Sequence, residues 1–418
     1  MMLPMQLNPA ILSDARILVA YAIFFASYFV FALGKFPGMK IDRPGAAIIG
    51  AVLMVAFRIM SAQDALRAID FSTIVLLFSM MLIAANLHLG GFFDWVAEVA
   101  VLRITARQLL PAVIFTSGIL SAFLVNDIVC LVMTPFVVKL TSRLRVKPIP
   151  YLLAVATASN IGSVATITGN PQNMLIGSVS RISYVSFLAH LGPIAVAGLF
   201  VDWGLAHFMY FRGATHTLEP EVATVARLER HSLRMKPVIV LAFVLAGFLA
   251  GAPAAIVAAV GAAVLLITRT MEPRRVYDEV DWGLLVFFVG LFVIVGGAER
   301  AGLTELLLRP FAAWNLHRIW VYAPLTAVLS NIVSNVPAVM LLKSLVPGFP
   351  DPQTGWLTLA MASTLAGNLT ITGSVANIIV VERASPDVHI GFREYFRLGL
   401  PLTLLTLLLG IIWLIWVQ

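Results

Sequence analysis

TITGNPQN, residues 166–173, lies in a segment that is otherwise apolar enough to cross a lipid bilayer, and a second octet, TITGSVAN, occupies residues 370–377. A backbone that leaves its helix in contact with lipid loses hydrogen-bond partners that the hydrocarbon cannot replace. Irregular chain at membrane depth is therefore expected to line protein or a water-filled cavity. The two octets predict two interrupted helices whose breaks face the protein interior.

The composition indicates a polytopic integral membrane protein. Of 418 residues, 60% are hydrophobic and 12% are charged, whereas roughly 25% of the residues in soluble domains are charged. The mean hydropathy is +0.95, and several apolar runs reach the ~20 residues that a spanning helix needs. The net charge of +7 is what basic cytoplasmic loops produce, so no nucleic-acid partner is predicted. Cys130 is the one cysteine, which excludes an intrachain disulfide.

An all-α membrane fold follows, with about ten spanning helices and two re-entrant hairpins. We predict spans near 16–34, 44–60, 71–90, 150–180, 186–211, 237–252, 254–269, 282–299, 357–381 and 397–417. Residues 108–146 and 318–346 carry polar groups in their middle, and each apolar arm has only ~15 residues, which is shorter than a full span. These two stretches are predicted to be hairpins that enter and leave on the same side.

The two halves of the chain follow one design. IDFSTIVLLFSMM aligns with VDWGLLVFFVGLF, Asn126 aligns with Asn335, and the octets align with each other. We predict a first repeat at 1–211 with hairpin 108–146 and broken helix 150–180, a cytoplasmic linker at 212–236, and a second repeat at 237–418 with hairpin 318–346 and broken helix 357–381. Most Lys and Arg residues fall inside if both termini are outside the cell's inner (plasma) membrane. Five crossings per half then make the repeat inverted.

Polar and glycine residues at the two breaks are the first set of candidate substrate- or ion-binding groups. Glycine lets the backbone leave the helix, and Asn-Pro reads as the N-cap and first residue of a new half-helix. The alternative is that these groups make polar helix–helix contacts, but aligned interruptions in two halves favour a binding site. The candidates are Thr166, Thr168, Gly169, Asn170, Gln172, Asn173, Thr370, Thr372, Gly373, Ser374 and Asn377.

The hairpin tips supply the second set of candidates, Asn126, Asp127, Ser334 and Asn335. The second arm of each hairpin would begin at the tip, so that its free N–H groups and positive dipole end suit an anion. Carbonyls released at the breaks could coordinate Na⁺. Asp127 either couples transport to H⁺ or Na⁺ or caps a helix. Asp202 either relays protons or sits at the inner interface near Arg212, and Cys130 is interpreted as a small apolar filler.

These motifs resemble those of the ion-transporter superfamily, which includes arsenical-pump membrane proteins, citrate and dicarboxylate carriers, and a class of sodium/proton antiporters. VNDIVCLVMTP, GNPQNMLIG, SNVPAVMLL and GNLTITGSVANIIV carry the resemblance, and GNPQN with the ND hairpin is most similar to the arsenite/anion permease branch. The resemblance implies a scaffold domain that often forms a homodimer, and a transport domain that moves vertically. The dicarboxylate/sodium branch carries Ser-Asn-Thr at both tips, whereas these tips read Val-Asn-Asp and Ser-Asn-Val.

The sequence therefore predicts a secondary active permease, and no enzyme. Its substrate would be a small inorganic or organic anion, or a neutral oxyacid such as arsenite, moved by an ion gradient. A sodium/proton antiporter of the same superfamily is the alternative. No metal site or cofactor is predicted beyond the coupling ion. The sequence contains no ATP-binding P-loop, so ATP-driven pumping would need a separate ATPase subunit.

Overall fold

The computed structural model describes residues 14–34, 40–101, 108–211, 233–268, 271–308, 314–385 and 387–417. All regular elements of three or more residues in these ranges are helices. Most of the predicted linker, with Arg212, lies outside the described residues, as do several other basic residues on which the predicted orientation depends.

The described residues of the first half form ten helices, and the last of them is the longest. Their bounds are α1 Asp14–Leu33, α2 Arg43–Ala56, α3 Ala62–Ala68, α4 Phe71–Leu89, α5 Phe92–Val101, α6 Leu109–Phe123, α7 Asn126–Arg143, α8 Ile149–Ser163, α9 Pro171–Ser180 and α10 Tyr184–Tyr210.

The second half has the same order of helices. Their bounds are α11 Met235–Leu249, α12 Ala254–Ile267, α13 Pro273–Asp278, α14 Trp282–Arg300, α15 Leu303–Leu308, α16 Ile319–Val333, α17 Asn335–Leu342, α18 Pro352–Leu365, α19 Val375–Ala384 and α20 Phe392–Val417. Among the described helices, α1, α4, α10, α14 and α20 are long and apolar enough to cross a membrane unaided.

Helix boundaries differ from the predicted ones where side chains cap the ends. The span predicted at 44–60 ends at Ala56, and a capping box formed by Ser61 and Asp64 starts the separate helix α3. The broken helix predicted from 357 begins at Pro352, because the Asp351 carboxylate accepts hydrogen bonds from the backbone N–H groups of Gln353 and Thr354. Hydropathy alone does not show these polar starts.

The helices pack in two groups. In the first group, α2 lies against α14 and α4 lies against α12, so each of these contacts joins a helix of the first half to one of the second half. In the second group, α6 packs on α8, α16 packs on α18, and the long helices α10 and α20 lie side by side. The half-helices after the breaks lie against the opposite hairpins, α19 on α7 and α9 on α17. The candidate site is inside this second group.

Ion pairs at the helix ends join segments that are distant in the chain. Arg300 at the end of α14 donates to the Asp64 carboxylate at 2.5 Å, and Lys343 lies 3.4 Å from the Glu299 carboxylate. The second pair joins the hairpin α16–α17 to α14. His88 lies 3.2 Å from Glu279.

The contact between α6 and α8 depends on glycine. A Cβ at Gly162 would overlap the backbone carbonyl of Gly118 on α6, and backbone cannot move aside as a side-chain end can. On α10, a Cβ at Gly204 would meet no atom within 4 Å. The first hairpin is therefore seated directly on the backbone of the broken helix.

We expect Gly162→Ala to destabilise the protein by about 1–3 kcal/mol or more, because added volume in a packed interface forces the backbone apart. Thermal unfolding in detergent would measure the loss. Gly204→Ala is the matched control and should unfold close to the wild-type temperature. Equal unfolding temperatures for the two variants would contradict the close approach.

We also expect a pH-dependent contribution from Asp64. Hydrogen bonds from Arg300 and then Ser61 lower the pKa of its carboxyl below the ordinary value. A lowered pKa in the folded state contributes stability above the unfolded-state pKa, and this is lost as pH falls through the folded-state pKa. Asp64→Asn should therefore unfold at a lower temperature than wild type at neutral pH. The difference should vanish in acid, as unfolding curves over a pH series would show.

Candidate functional site

Both octets break a helix. Residues 164–170 separate α8 from α9, and residues 366–374 separate α18 from α19 with two short 3-10 turns. Asn170 is the N-cap of α9, and its side chain accepts a hydrogen bond from Asn173 N at 2.9 Å. A Cβ at Gly169 would overlap the Ser163 carbonyl, and one at Gly373 would crowd the Gly367 carbonyl. Both glycines permit the chain to fold back on the helix that it has just left.

Each hairpin tip docks on the break of its own half. The backbone N–H of Asn126, the first residue of α7, donates to the Gly169 carbonyl at 2.9 Å. The acceptors around Asn335, the first residue of α17, orient its amide nitrogen toward the carbonyls of Gly373 and Ser363 at 3.1 and 3.2 Å. The predicted tip residues and break residues are thus brought together in both halves.

Asn160 on α8 joins the two halves. Its side-chain oxygen accepts hydrogen bonds from Asn126 Nδ2 at 3.2 Å and from Ser374 Oγ at 3.0 Å. Its nitrogen donates to the side-chain oxygens of Asn368 and Asn377, both at 2.9 Å. One buried amide therefore contacts the first hairpin tip and both sides of the second break.

Thr364 on α18 makes the reciprocal contacts. Its hydroxyl accepts from Asn170 Nδ2 at 3.3 Å and from Gln172 Nε2 at 3.1 Å. Asn160 precedes Asn170 by the same number of residues as Thr364 precedes Ser374. Each post-break helix start is thus bonded to the other half's pre-break helix. The sequence analysis does not single out Asn160, Thr364 or Asn368, although Asn160 and Thr364 lie the same number of residues before their octets.

Side-chain amides satisfy the carbonyls that the breaks release. Asn173 Nδ2 donates to the carbonyls of Ser163 and Thr166 at 3.1 and 3.0 Å. Asn377 Nδ2 donates to Gly367 and Thr370 at 2.6 and 3.0 Å. Carbonyls released at the breaks are the possible Na⁺ ligands of the sequence analysis, and that role stays a prediction. In this arrangement, an uncharged amide in each half occupies the place between them.

The two breaks differ in their access to solvent. At the first break, Thr166 and Thr168 are fully buried; Thr166 Oγ1 donates to the Ala122 carbonyl, and Thr168 Oγ1 lies 3.0 Å from the Tyr184 hydroxyl. At the second break, Thr372 is exposed and Thr370 is half-buried. The open polar face of the site therefore lies on the side of the second octet.

The hairpin tips supply two further groups to this accessible face. Ser334 is half-buried, with φ 81° and ψ 158°, a conformation almost confined to glycine and often found at functional sites. Asp127 is half-buried in the first turn of α7, and its carboxylate has no hydrogen-bond partner within the described ranges. Both groups are free to meet a ligand.

The site contains no cationic side chain. Residues 108–138, 148–180, 319–342 and 352–382, which contain the hairpin tips and the breaks, lack Lys, Arg and His. Lys139 and Arg143 at the end of α7 and Arg383 at the end of α19 lie beyond these segments. Asp127 is the single acid in these segments apart from Glu382 near the end of α19. A ligand would meet amides, hydroxyls, helix N-termini and one carboxylate.

Comparison with known proteins agrees with this architecture. A family model described as "Citrate transporter", CitMHS, matches residues 28–366. The chain belongs to the CitMHS transporter family. It is a multi-pass membrane transporter and not an enzyme.

Relatives and a solved structure cover nearly the whole chain. Silicon efflux transporter LSI3 of Oryza sativa is 30% identical, over 94% of this chain and 96% of its own. Putative transporter arsB of Dictyostelium discoideum is 26% identical, over 89% and 87%. The crystal structure of the YdaH transporter of Alcanivorax borkumensis matches with a TM-score of 0.52 at 16% identity, over 96% of this chain and 97% of that one. This last likeness concerns the fold.

We expect Asn160→Ala to abolish transport and to lower the unfolding temperature, because it leaves several buried partners unpaired at about 1–3 kcal/mol each. Flux through proteoliposomes and thermal unfolding would measure the two effects. Asn86→Ala is the matched control, since Asn86 is equally buried but bonds to the Leu82 carbonyl of its own helix. Transport by Asn160→Ala at the Asn86→Ala rate would contradict a central role.

Proposed function

We propose that this CitMHS-family member is a secondary active transporter for a small anion or oxyanion, including neutral oxyacids such as arsenite, coupled to an ion gradient. The supporting observation is the meeting of four helix starts in one buried polar network: those of α7 and α19 bond to Asn160, that of α9 bonds to Thr364, and Asn335 at the start of α17 accepts from Gln172. Helix N-termini present free N–H groups and a positive dipole end. Oxygen-rich ligands suit these donors.

The chemistry of the site favours a neutral or weakly charged ligand over a polycarboxylate. A multiply charged anion leaving water needs compensating charge, and residues 108–138, 148–180, 319–342 and 352–382, which contain the tips and the breaks, supply no Lys or Arg. Hydroxyls of an oxyacid both donate and accept, which suits side-chain amides and threonines that also do both. The names of two relatives refer to silicon efflux and to arsB, and we extend that substrate class to this chain.

Alternating access would come from movement of the second packing group, which holds the hairpins and broken helices, against the first. The polar network is confined to the second group, whereas contacts such as Lys343–Glu299 join the two at their edges. Edge contacts of this kind can be exchanged while a buried network stays intact. We propose an elevator-type movement for this reason, with the inverted repeat, ten spans and repeat boundaries described above.

We also propose that both termini lie outside and that the protein forms a homodimer. Arg300–Asp64 and Lys343–Glu299 lie at helix ends predicted outside, whereas His88–Glu279 and the Tyr210–Glu394 hydrogen bond lie at ends predicted inside. This grouping supports external termini in an inner (plasma) membrane. Apolar outer helices are compatible with a homodimer.

A sodium/proton antiporter is the second candidate, and Asp127 is the observation that favours it. This carboxylate is accessible and unpaired in the described structure. Proton flux that depends on sodium, in vesicles without any oxyacid, would support the antiporter. Flux that requires arsenite, silicic acid or citrate would support the carrier, and a thermal-shift screen of these compounds at two pH values, with and without sodium, would identify the ligand.

We expect Asn335→Ala and Asp127→Asn to abolish uptake while still inserting in the membrane and folding. Asn335 holds the second tip on its break, and Asp127 is the only charge at the tips. Uptake into proteoliposomes and melting temperature would separate function from folding. Asp351→Asn is a control, because asparagine also caps helices. Wild-type uptake by both variants would remove the tips from the mechanism.

A further inference from the structure

Asp202 is a buried carboxyl group outside the ligand site. It lies within α10 and is 0% exposed. Its Oδ2 is 2.8 Å from Thr157 Oγ1 on α8, and its Oδ1 has no hydrogen-bond partner within the described residues. A carboxylate taken out of water without a cation costs several kcal/mol, which its neutral form avoids.

The two short contacts of the Thr157 hydroxyl favour a protonated Asp202. Thr157 Oγ1 is also 2.9 Å from the Leu153 carbonyl. A carbonyl and a carboxylate are both acceptors, and a hydroxyl has one hydrogen to give. Both short contacts are hydrogen bonds if Asp202 is protonated, because Asp202 then donates to Thr157, which donates to Leu153.

No cation on the neighbouring helices faces this carboxyl group. The helices packed against α10 are α6, α8, α11, α18 and α20; α6 and α18 contain no ionisable residue. The others carry Tyr151 on α8, Lys236 on α11, and Arg393, Glu394, Tyr395 and Arg397 on α20, and α10 itself carries Tyr184, His190, His207 and Tyr210. Every Lys and Arg in this set is exposed.

Tyr395 is the ionisable neighbour within electrostatic range of Asp202. It also lies close to Cys130 on α7 and to Asn377. It is 1% exposed. It offers a neutral hydroxyl, and no positive charge.

A short hydrogen-bonded path connects Asp202 to the ligand site. The backbone carbonyl of Thr157 accepts from Asn368 Nδ2 at 3.3 Å, and Asn368 Oδ1 accepts from Asn160 at 2.9 Å. Asn160 in turn contacts Asn126 at the first hairpin tip. Loss of the proton would place a negative charge beside Thr157, and the Thr157 hydroxyl would then donate to Asp202 instead of to the Leu153 carbonyl. The change occurs in the residue whose backbone carbonyl binds Asn368.

The second half has no equivalent acid. Pro193 in α10 and Pro401 in α20 are the internal prolines of the two long helices. Counting onward from these prolines, the position of Asp202 corresponds to Gly410. Of the two long helices α10 and α20, only α10 carries such a group.

We propose that Asp202 is the proton-binding site of this carrier, protonated in the conformation described here and deprotonated at another stage of the transport cycle. The proposal rests on the proposed function in assigning this proton to coupling. Asp127, at the accessible tip, then contacts the ligand and does not carry the coupled proton.

Asp202→Asn is the decisive variant, because the amide donates to Thr157 as a protonated carboxyl does but cannot exchange a proton. Infrared spectra over a pH series test proton binding directly and need no substrate. Wild type and Asp127→Asn should both show the band of a protonated buried carboxyl at neutral pH, and Asp202→Asn should lack it. Absence of the band from wild type, or its persistence in Asp202→Asn, would overturn the proposal.

Proteoliposomes containing a pH dye test the coupling. With arsenite or silicic acid gradients, substrate-driven proton flux in Asp202→Asn should fall by about tenfold or more, since an amide binds no proton in this range. Exchange of the same compound across the membrane at equal pH should continue. Asp70→Asn, at the N-cap of α4, is the matched control and should keep both.

Three results would overturn coupling through Asp202. These are undiminished proton flux in Asp202→Asn, substrate flux in wild type that moves no protons, and loss of exchange together with flux in a folded Asp202→Asn protein. If wild type moves neither arsenite, silicic acid nor citrate, the proposed function fails instead, and the infrared result alone decides whether Asp202 binds the proton.

Discussion

Every peptide group in a lipid-embedded chain must find a partner within the protein, and this constraint governs the whole second packing group. Breaking α8 and α18 releases carbonyls on one side and N–H groups on the other. The chain answers with asparagine: Asn173 and Asn377 donate to the released carbonyls, and Asn170 accepts from a released N–H. An amide side chain can do both because it carries a donor and an acceptor. The octets are polar because the breaks create this demand.

The same demand makes the two halves interdependent. Asn160 and Thr364 precede their breaks, and each bonds to the helix start of the other half. Neither broken helix is satisfied alone. The two breaks differ in exposure to solvent, since Thr168 is buried against Tyr184 while Thr372 is exposed. A symmetric frame with one open side can present the ligand to one face of the membrane at a time, as the proposed alternating access requires.

The sequence contains the breaks but not their connections. Two copies of Thr-Ile-Thr-Gly in apolar surroundings, with Asn-Pro after the first, predict an interruption within 150–180 and another within 357–381. The polar residues in the middle of 108–146 and 318–346 predict the hairpin tips. Nothing local to Asn160 distinguishes it from a polar residue in an ordinary helix interface, because its partners are distant in the chain. The capped starts at Ser61 and Asp351 were missed for a related reason: hydropathy averages over single polar residues whose hydrogen bonds set a boundary. Periodicity predicts which face of a helix is buried, but it does not predict which buried side-chain amides form hydrogen bonds with each other.

Uncharged side chains at the break network have a consequence for movement. Each charged side chain raises the free energy of a group of helices that moves through the hydrocarbon layer. The segments that contain the tips and the breaks carry almost no charge. Amide donors at the released carbonyls perform, without charge, the role that a bound cation would perform with it. A protonated Asp202 extends this neutrality to the flanking long helix, so that binding the proton removes a fully buried charge from the moving part. In the proposed cycle, proton binding thereby lowers the free energy needed to move this group across the bilayer. Because the protonated and deprotonated carriers differ in this free energy, a proton gradient can drive the movement.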